Sequence, residues 1–511
     1  MLVQDFLENA AVRFPAKTAL ICQGQRLTYP EINSKANHLA QALRAHGVSR
    51  GDRVAIYMPN SVATVVGIFA ALKAGAVFVV VNHTTKKDKL AYILNNCTAS
   101  ALLVESRRAH LAQELFSEVP SLKVCFFDGG PVEDQISQSS LPCVNLAAVE
   151  TDYPDEQLPH INIDLDLACL IYTSGSTGDP KGVMSDHSNM VFAASSIIEY
   201  LGNVEDDIVI DVLPLSFDYG LYQLLMVFKF GGTLVLEQSF AYPAAILQTL
   251  ERERVTGLPG VPTVFSILVK MDLSPYDMSS LRYLTNTAAA LPPSHILQLK
   301  EKFPQATLFS MYGLTETKRT LYLPPDQLPV RPGSVGIPIP GTEAWVEDDE
   351  GHRLGADEVG ELVVRGRHVM RGYWNDPVTS AVRFRPGKIS GERLCYTGDL
   401  FRMDSDGFFY FVGRKDDIIK SRGEKVAPKE VENVLYMLPG VVEAAVVGVD
   451  DPVLGQAVKA FLVVEGNSLT EKQVLAHCRA NLEDFMIPRY VEFRDQLEKT
   501  SSGKIKKTGL R

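Results

Sequence analysis

The sequence predicts an α/β protein with a large N-terminal domain, residues 1–414, and a small α+β C-terminal domain, residues 415–511. Three observations support this fold class. The first half alternates apolar strands with helical patterns, which is typical of a mainly parallel sheet covered on both faces. From about residue 330 the strands are short and separated by Gly and Asp, which indicates antiparallel structure. The chain of 511 residues is too long for one small core.

The individual elements follow from the period of the apolar residues and from the turn residues between them. Buried strands are predicted at 53–58, 77–81, 100–105, 207–213, 232–236 and 255–260. Short antiparallel strands are predicted at 344–348, 360–366, 401–404 and 408–414. The C-terminal unit is predicted as helix 428–437, strands 443–450 and 457–464, helix 470–482 and strand 491–495. The apolar run 62–81 contains Lys73 and Gly75, so it predicts a buried helix and a core strand, with no membrane span.

Composition and charge exclude several classes of partner and site. The net charge of −11 disfavours a nucleic-acid partner. Seven cysteines without CxxC spacing argue against a zinc site and against a disulfide scaffold, and favour a reducing compartment. The first residues lack the basic region and apolar core of a signal peptide. We therefore expect a cytoplasmic protein.

The segment IYTSGSTGDPKG, residues 171–182, is a candidate phosphate-binding loop. Its glycines allow backbone N–H groups to turn toward an anion, its hydroxyls add donors, and Lys181 adds a positive charge. It is not a Walker A loop, because no lysine directly follows the second glycine of a G-x4-G pattern. Taken alone, the segment also fits a flexible turn.

Three further segments carry residues suited to nucleotide chemistry. In MYGLTET, residues 311–317, Tyr312 could stack on a purine and Glu316 could hold a divalent cation, although a core tyrosine at a strand end fits equally. Asp399 follows a glycine and could accept hydrogen bonds from ribose hydroxyls, with Arg414 beside the same sugar. Lys504 lies in a basic tail that would ordinarily be a solvated surface segment.

In this order and at these separations, the four motifs resemble the AMP-forming acyl-adenylate superfamily. This superfamily includes acyl-CoA synthetases, the adenylation domains of nonribosomal peptide synthetases, and firefly luciferase. The resemblance covers nearly the whole chain and implies ATP and Mg²⁺ as cofactors. It also implies a small β-barrel-like subdomain in the N-terminal domain and a C-terminal domain that turns on a hinge.

The resemblance implies a role for each matching residue. The phosphate loop would comprise Thr173, Ser174, Gly175, Ser176, Thr177, Gly178 and Lys181. The other nucleotide contacts would be Tyr312 on adenine, Gly313, Thr315 on the α-phosphate, and Asp399 and Arg414 on ribose. Glu316 would bind magnesium, Asp416 would be the hinge, Gly423 would line the thiol tunnel, and Lys504 would reach the site during adenylation.

The segment LPLSFDYGLYQLL, residues 213–225, is informative about the acid substrate. In adenylation domains of peptide synthetases, the acid matching Asp218 pairs with the substrate amine, so Asp218 favours a small amino acid. Arg319 leaves two alternatives open: it could neutralise Asp218, or it could bind a second carboxylate of the substrate. By the same resemblance a small, mostly apolar pocket would be lined by Asp218, Tyr219, Tyr222, Thr285, Thr287, Met311, Arg319 and Thr320.

The acceptor of the acyl group is predicted to be a thiol supplied by another molecule. The chain ends seven residues after Lys504, so we expect a free-standing enzyme. The favoured acceptor is the phosphopantetheine arm of a separate acyl or peptidyl carrier protein, and the alternative is CoA in an acyl-CoA synthetase for a small organic acid. A nucleotide-binding regulator without catalytic activity is a third hypothesis, which the presence of Lys504, Glu316 and Asp399 disfavours.

Overall fold

A computed structural model describes the chain except residues 131–140, 175–178, 288–290, 292, 422–423, 452–454, 467–468, 501–504, 508 and 511. The described residues form four β-sheets, three in the N-terminal part of the chain and one in the C-terminal part. The predicted fold class, a large N-terminal α/β domain followed by a small α+β domain, is confirmed. The first sheet has seven strands and is parallel except for its last pair. In sheet order its strands are Cys143–Asn145, Val124–Asp128, Ala99–Glu105, Arg53–Tyr57, Val77–Val80, Leu167–Ser174 and Pro180–Asp186.

Both faces of the seven-stranded sheet are covered by buried apolar residues. The apolar run that could suggest a membrane span folds as the buried helix Val62–Lys73 followed by the core strand Val77–Val80, which confirms the reading of Gly75 as the junction. Within the described part of the chain, no helix combines the length and apolarity needed to cross a bilayer.

The nine-stranded sheet carries much of the candidate site. In sheet order its strands are Ile337–Pro338, Leu321–Leu323, Thr307–Tyr312, Tyr283–Asn286, Gly257–Gly260, Ile208–Asp211, Thr233–Leu236, Thr18–Cys22 and Gln25–Thr28. The six strands from Thr307–Tyr312 to Thr18–Cys22 are parallel. Their carboxyl ends therefore meet at one edge, which is where open α/β sheets usually bind ligands.

The third sheet is antiparallel, as the short strands after residue 330 predicted. Its strands are Glu343–Glu347, Gly360–Arg365, Arg393–Met403, Phe384–Pro386 and Phe409–Arg414. The fourth sheet contains Glu424–Val426, Ile419–Ser421, Gly455–Val464, Val441–Asp451 and Tyr490–Phe493. The last strand of the third sheet ends at Arg414, and the next strand along the chain belongs to the fourth sheet. We therefore propose a domain boundary between residues 414 and 415.

Helices cover the sheets, and several begin at residues whose side chains cap them. Thr28 and Glu31 form a capping box, as do Asp186 and Asn189, so the first backbone donors of those helices are satisfied. The helices are Asp5–Arg13, Tyr29–Ala45, Val62–Lys73, Lys87–Asn96, Ala109–Glu118, Leu146–Asp152, His187–Leu201, Asp218–Phe230, Pro243–Arg252, Pro262–Leu268, Pro293–Lys302, Pro377–Arg383, Pro428–Tyr436 and Glu471–Asn481.

Candidate active site

Tyr312, Asp399 and Arg414 form one hydrogen-bonded cluster. The Tyr312 hydroxyl donates to Asp399 Oδ2 at 2.6 Å, and Arg414 Nε donates to Asp399 Oδ1 at 2.9 Å. Asp399 and Arg414 are register partners on neighbouring antiparallel strands, so their side chains share one face. Burial, together with the charge of Asp399, raises the pKa of Tyr312, so its phenol stays protonated and donates.

Aromatic packing fixes the ring of Tyr312. The ring meets Phe401 edge to face with centroids 4.9 Å apart, and Phe411 lies 6.4 Å away. Gly313 follows, and a Cβ there would lie 1.8 Å from the Lys318 carbonyl oxygen. Only glycine therefore allows the chain to fold back on itself directly after Tyr312.

Glu316 lies in a second polar cluster, whose other members sequence reasoning missed. Tyr373 donates its hydroxyl to Glu316 Oε1 at 2.5 Å. Burial lowers the pKa of the Arg383 guanidinium, whereas the neighbouring charges, that of Glu316 foremost, raise it. The net effect is a pKa above the ordinary value. Tyr373 belongs to the GYW segment at 372–374, and Arg383 ends the helix Pro377–Arg383; no local pattern connects either residue with Glu316.

The candidate phosphate loop joins two paired strands. Thr173 pairs with Lys181, and Ser174 with Pro180, across the antiparallel strands that flank the loop. Lys181 Nζ lies 3.5 Å from Asp376 Oδ2, 3.1 Å from Thr379 Oγ1, and 5.6 Å from the Tyr373 ring centroid. The loop's lysine is therefore brought to the tyrosine that donates to Glu316. The loop residues Gly175, Ser176, Thr177 and Gly178 lie outside the described residues.

The predicted acyl pocket is built from one helix start and two strand ends. Asp218 is buried at the first position of helix Asp218–Phe230, where the helix dipole favours a negative charge. Tyr219 donates to the Thr285 carbonyl at 2.7 Å, and its hydroxyl lies 2.6 Å from Thr285 Oγ1. No described residue offers a hydrogen bond to the Tyr222 hydroxyl, which is wholly buried.

Among the described residues Arg319 forms no ion pair with Asp218, so the first of the two alternatives left open for Arg319 is not observed. The only polar contact of the Arg319 guanidinium with a described residue is from Nη2 to the Tyr219 carbonyl oxygen, at 3.5 Å. Its Cζ lies 4.4 Å from the Tyr219 ring centroid. The sequence-based assignment also missed Lys318, which is fully buried with a backbone φ of 58°. Burial lowers the pKa of Lys318, and the charge of Asp218 opposes that shift most strongly.

The remaining predicted site residues differ in burial and in their hydrogen-bond partners. Met311 Sδ accepts from the Tyr200 hydroxyl at 2.8 Å, and Thr320 Oγ1 lies 2.6 Å from Thr317 Oγ1. Thr287 is buried directly after strand Tyr283–Asn286, and Thr315 is partly exposed. Asp416 is exposed in the short 3-10 turn Lys415–Asp417 between the third and fourth sheets. Gly423 and Lys504 lie outside the described residues.

A cleft of about 750 Å³ lies elsewhere on the N-terminal domain. Its walls include Asp186, Gly341, Arg365 and Arg393, and none of its lining residues belongs to the predicted site. Hydrogen bonding and charge, rather than cavity size, therefore identify the candidate active site.

Two family models and several known proteins match this chain over most of its length. The family model described as AMP-binding enzyme matches residues 7–374, and the one described as AMP-binding enzyme C-terminal domain matches residues 430–504. A feruloyl-CoA synthase of an Amycolatopsis species is 35% identical, over 97% of this chain and 96% of that protein. A long-chain-fatty-acid–CoA ligase of Bacillus subtilis is 32% identical, over 98% and 93%. The crystal structure of the anthranilate CoA ligase AuaEII in complex with anthranoyl-AMP superposes with a TM-score of 0.91 at 29% identity, covering 100% of this chain and 96% of that one.

Proposed function

From the premise that the chain belongs to the AMP-binding enzyme family and is an AMP-forming ligase, we propose its two half-reactions and the residues that carry them. In the first, a carboxylate oxygen of the acid attacks the α-phosphorus of ATP and pyrophosphate leaves. In the second, a thiol sulfur attacks the acyl carbonyl carbon of the adenylate and AMP leaves. The products are a thioester, AMP and pyrophosphate.

One observation supports the nucleotide site above all others: Tyr312 and Arg414 converge on the Asp399 carboxylate. The bond from Tyr312 holds its ring, a platform for adenine, next to the Asp399 carboxylate. The bond from Arg414 orients the same carboxylate, which can accept hydrogen bonds from ribose hydroxyls. Arg414 is more than half exposed at its side chain, so it keeps donors free for the sugar. We assign adenine to Tyr312 and ribose to Asp399 and Arg414.

Positive charge is the main catalytic requirement, because one anion must attack another. A cation about 4 Å away in an environment of effective dielectric about 20 contributes about 4 kcal/mol. Lys181 at the candidate phosphate loop and Lys504 in the C-terminal domain are the cations we assign to this role. Thr315 would contact the α-phosphate, and the loop from Thr173 to Gly178 would hold the phosphates leaving as pyrophosphate.

Glu316 fits a magnesium ligand. Its Oε1 accepts from Tyr373, whereas no described residue donates to its Oε2. Magnesium in proteins is commonly held by one or two carboxylates together with substrate phosphates. When bound, the metal would neutralise phosphate charge. Tyr373 would orient the carboxylate through its hydrogen bond.

We propose CoA as the thiol acceptor, since the curated relatives bear the names of CoA ligases and a CoA synthase. A small amino acid loaded onto the phosphopantetheine arm of a separate carrier protein is the second candidate. Asp218 favours that candidate, because no described residue donates a hydrogen bond to its buried carboxylate. In the proposed transfer step, the C-terminal domain would turn at Asp416 and present the Gly423 loop to the thiol.

The test is carboxylate-dependent exchange of radiolabelled pyrophosphate into ATP, measured over the twenty amino acids and a panel of small organic acids. Exchange with at least one acid, dependent on Mg²⁺, is the expected result. Thioester formation is then measured with CoA and with phosphopantetheinylated carrier proteins. Carrier loading without CoA turnover would overturn the CoA assignment, and absence of exchange with every acid would overturn adenylation itself.

A further inference from the structure

Two adjacent cations, Lys318 and Arg319, are buried beside the predicted acyl pocket with most of their hydrogen-bond donors unused. Each residue is only 1% exposed. Lys318 Nζ, Arg319 Nε and Arg319 Nη1 have no hydrogen-bond partner among the described residues. Buried charges in proteins are normally paired and hydrogen-bonded, because removing a charge from water costs several kcal/mol.

Both side chains lie near the ring of Tyr222. Lys318 Nζ and Arg319 Cζ lie 5.6 Å and 5.9 Å from the centroid of the same Tyr222 ring. The Tyr222 hydroxyl is also buried without a partner in the described part of the chain. Both cations therefore lie close to one buried tyrosine of helix Asp218–Phe230, which is predicted to line the acyl pocket.

The carboxylates nearby do not balance both cations. Neither Lys318 nor Arg319 forms an ion pair with a carboxylate of a described residue. Asp211 is the acid whose titration Arg319 affects, but burial raises the pKa of Asp211 well above its ordinary value, which favours its neutral form. The Arg319 guanidinium is therefore without an ionised carboxylate partner among the described residues.

We propose that Arg319, flanked by Lys318 and Tyr222, forms an anion subsite in the acyl pocket, and that the acid substrate is a dicarboxylate whose second carboxylate binds there. The guanidinium keeps Nε and Nη1 without partners among the described residues, so it has N–H groups that can donate to the oxygens of a second carboxylate. Glu316 and Tyr312 mark the nucleotide side of the site, so the first carboxylate faces the α-phosphate while the second lies at Arg319.

This inference rests on the proposed function, and it decides between the alternatives left open for Arg319. An amine at Asp218 would leave the Arg319 donors unused. A second carboxylate would accept hydrogen bonds from them. A purely structural arginine would be expected to use more of its five donors on protein acceptors.

The experiment compares acids that differ only in the second carboxylate: malonate with propionate, succinate with butyrate, and glutarate with valerate. The rate constant kcat/KM of pyrophosphate exchange is measured for the wild-type protein, for Arg319→Met and Arg319→Lys, and for the control Arg282→Gln. Arg282 precedes strand Tyr283–Asn286, whose other end carries Thr285; it is half exposed and paired with Asp207 at 2.6 Å. Binding is followed separately as the rise in melting temperature caused by each acid alone.

We expect at least one dicarboxylate to exceed its monocarboxylate partner by about 100-fold in kcat/KM, the size typical of a buried charge contact. Arg319→Met should remove this preference, because the rate with the dicarboxylate should fall far more than the rate with its monocarboxylate partner, and Arg319→Lys should restore part of it. Arg282→Gln should keep the wild-type preference. The dicarboxylate should raise the melting temperature of the wild-type protein, and its partner should not.

Equal rates for both members of every pair in the wild-type protein would overturn the anion subsite while leaving adenylation intact. A uniform loss over all acids in Arg319→Met, with unchanged preference, would show a structural role and would also overturn it. Exchange with amino acids alone would assign the pocket to an amine. Absence of exchange with any acid would refute the proposed function, which is a separate result.

Discussion

The hydrogen bond from Tyr312 to Asp399 can be tested as a coupling energy, because each partner has a close isostere. Tyr312→Phe removes only the hydroxyl, and leaves Asp399 Oδ2 without its buried donor. A hydrogen bond to a charged group is worth about 1.5–3 kcal/mol. We therefore expect Tyr312→Phe to lower the free energy of unfolding by about 2 kcal/mol.

Asp399→Asn affects the same bond from the other side. It removes the ion pair with Arg414, whose side chain is 54% exposed, so that loss is worth at most about 1 kcal/mol. It also changes the acceptor for Tyr312 from a charged to a neutral oxygen, which weakens that bond by about half. In the double variant the hydrogen bond from residue 312 is already absent, so Asp399→Asn can no longer weaken it. The coupling energy between the two substitutions should therefore be about 1 kcal/mol.

Urea unfolding followed by tryptophan fluorescence measures these energies. The two tryptophans, Trp345 and Trp374, both precede residue 414, so the signal reports on the N-terminal part that contains the pair. The control is Tyr29→Phe, which removes another buried hydroxyl that donates to the Gly232 carbonyl at 2.7 Å. Tyr29→Phe should add to Asp399→Asn without coupling, because distant sites are additive.

The same variants separate the ring of Tyr312 from its hydroxyl in nucleotide binding. If adenine packs on the ring, Tyr312→Phe should change the KM for ATP by less than about threefold, whereas Asp399→Ala should raise it by about 10- to 100-fold through loss of the ribose acceptor. A coupling energy below about 0.3 kcal/mol would refute the hydrogen bond. An unchanged KM in Asp399→Ala would refute the ribose assignment.

Three further predictions concern other residues. Lys504→Ala should lower pyrophosphate exchange by about 1,000-fold, since about 4 kcal/mol of charge stabilisation is lost, while the neighbouring Lys506→Ala should retain wild-type exchange; equal effects would remove the special role of Lys504. Glu316→Gln should raise the Mg²⁺ concentration needed for half-maximal exchange by about tenfold or more, and an unchanged requirement would place the metal elsewhere. Burial lowers the pKa of His368 to about 3, so below pH 6.5 the unfolded chain gains a proton that the folded chain does not, and stability falls as pH decreases. The free energy of unfolding should therefore fall by about 2 kcal/mol less between pH 7 and pH 5 in His368→Met than in the wild-type protein. The control His110→Gln, at an exposed histidine, should keep the wild-type pH profile. Equal pH profiles for the wild-type protein and His368→Met would contradict the buried neutral imidazole.

Local pattern carried most of what could be predicted about the fold. The helix Val62–Lys73 and the strand Val77–Val80 were predictable because apolar runs, a lysine and a glycine occur within twenty residues of each other. The antiparallel sheet after residue 330 was predictable from turn residues spaced along the chain. The pairing of Asp399 with Arg414 could be proposed for a similar reason, because a short turn connects their strands.

The partners of buried charges were not predictable in the same way. Tyr373 and Arg383 reach Glu316 from more than fifty residues away, and Lys181 approaches Tyr373 across a still longer separation. Lys318 has a positive φ and its carbonyl oxygen lies close to Gly313, and no periodicity of the sequence reveals either feature. Those contacts follow from how the three sheets of the N-terminal domain are placed against one another.

The amino-acid sequence by itself determined the order of helices and strands and the nucleotide motifs, because both depend on residues that are neighbours along the chain. Only the tertiary structure decided that Arg319 stands apart from Asp218 and that Lys318 is buried beside it. The physical reason is that the energy of a charge depends on its surroundings in space. Burial and counter-charges come from the packing of distant segments, and these set the chemistry of the acyl pocket.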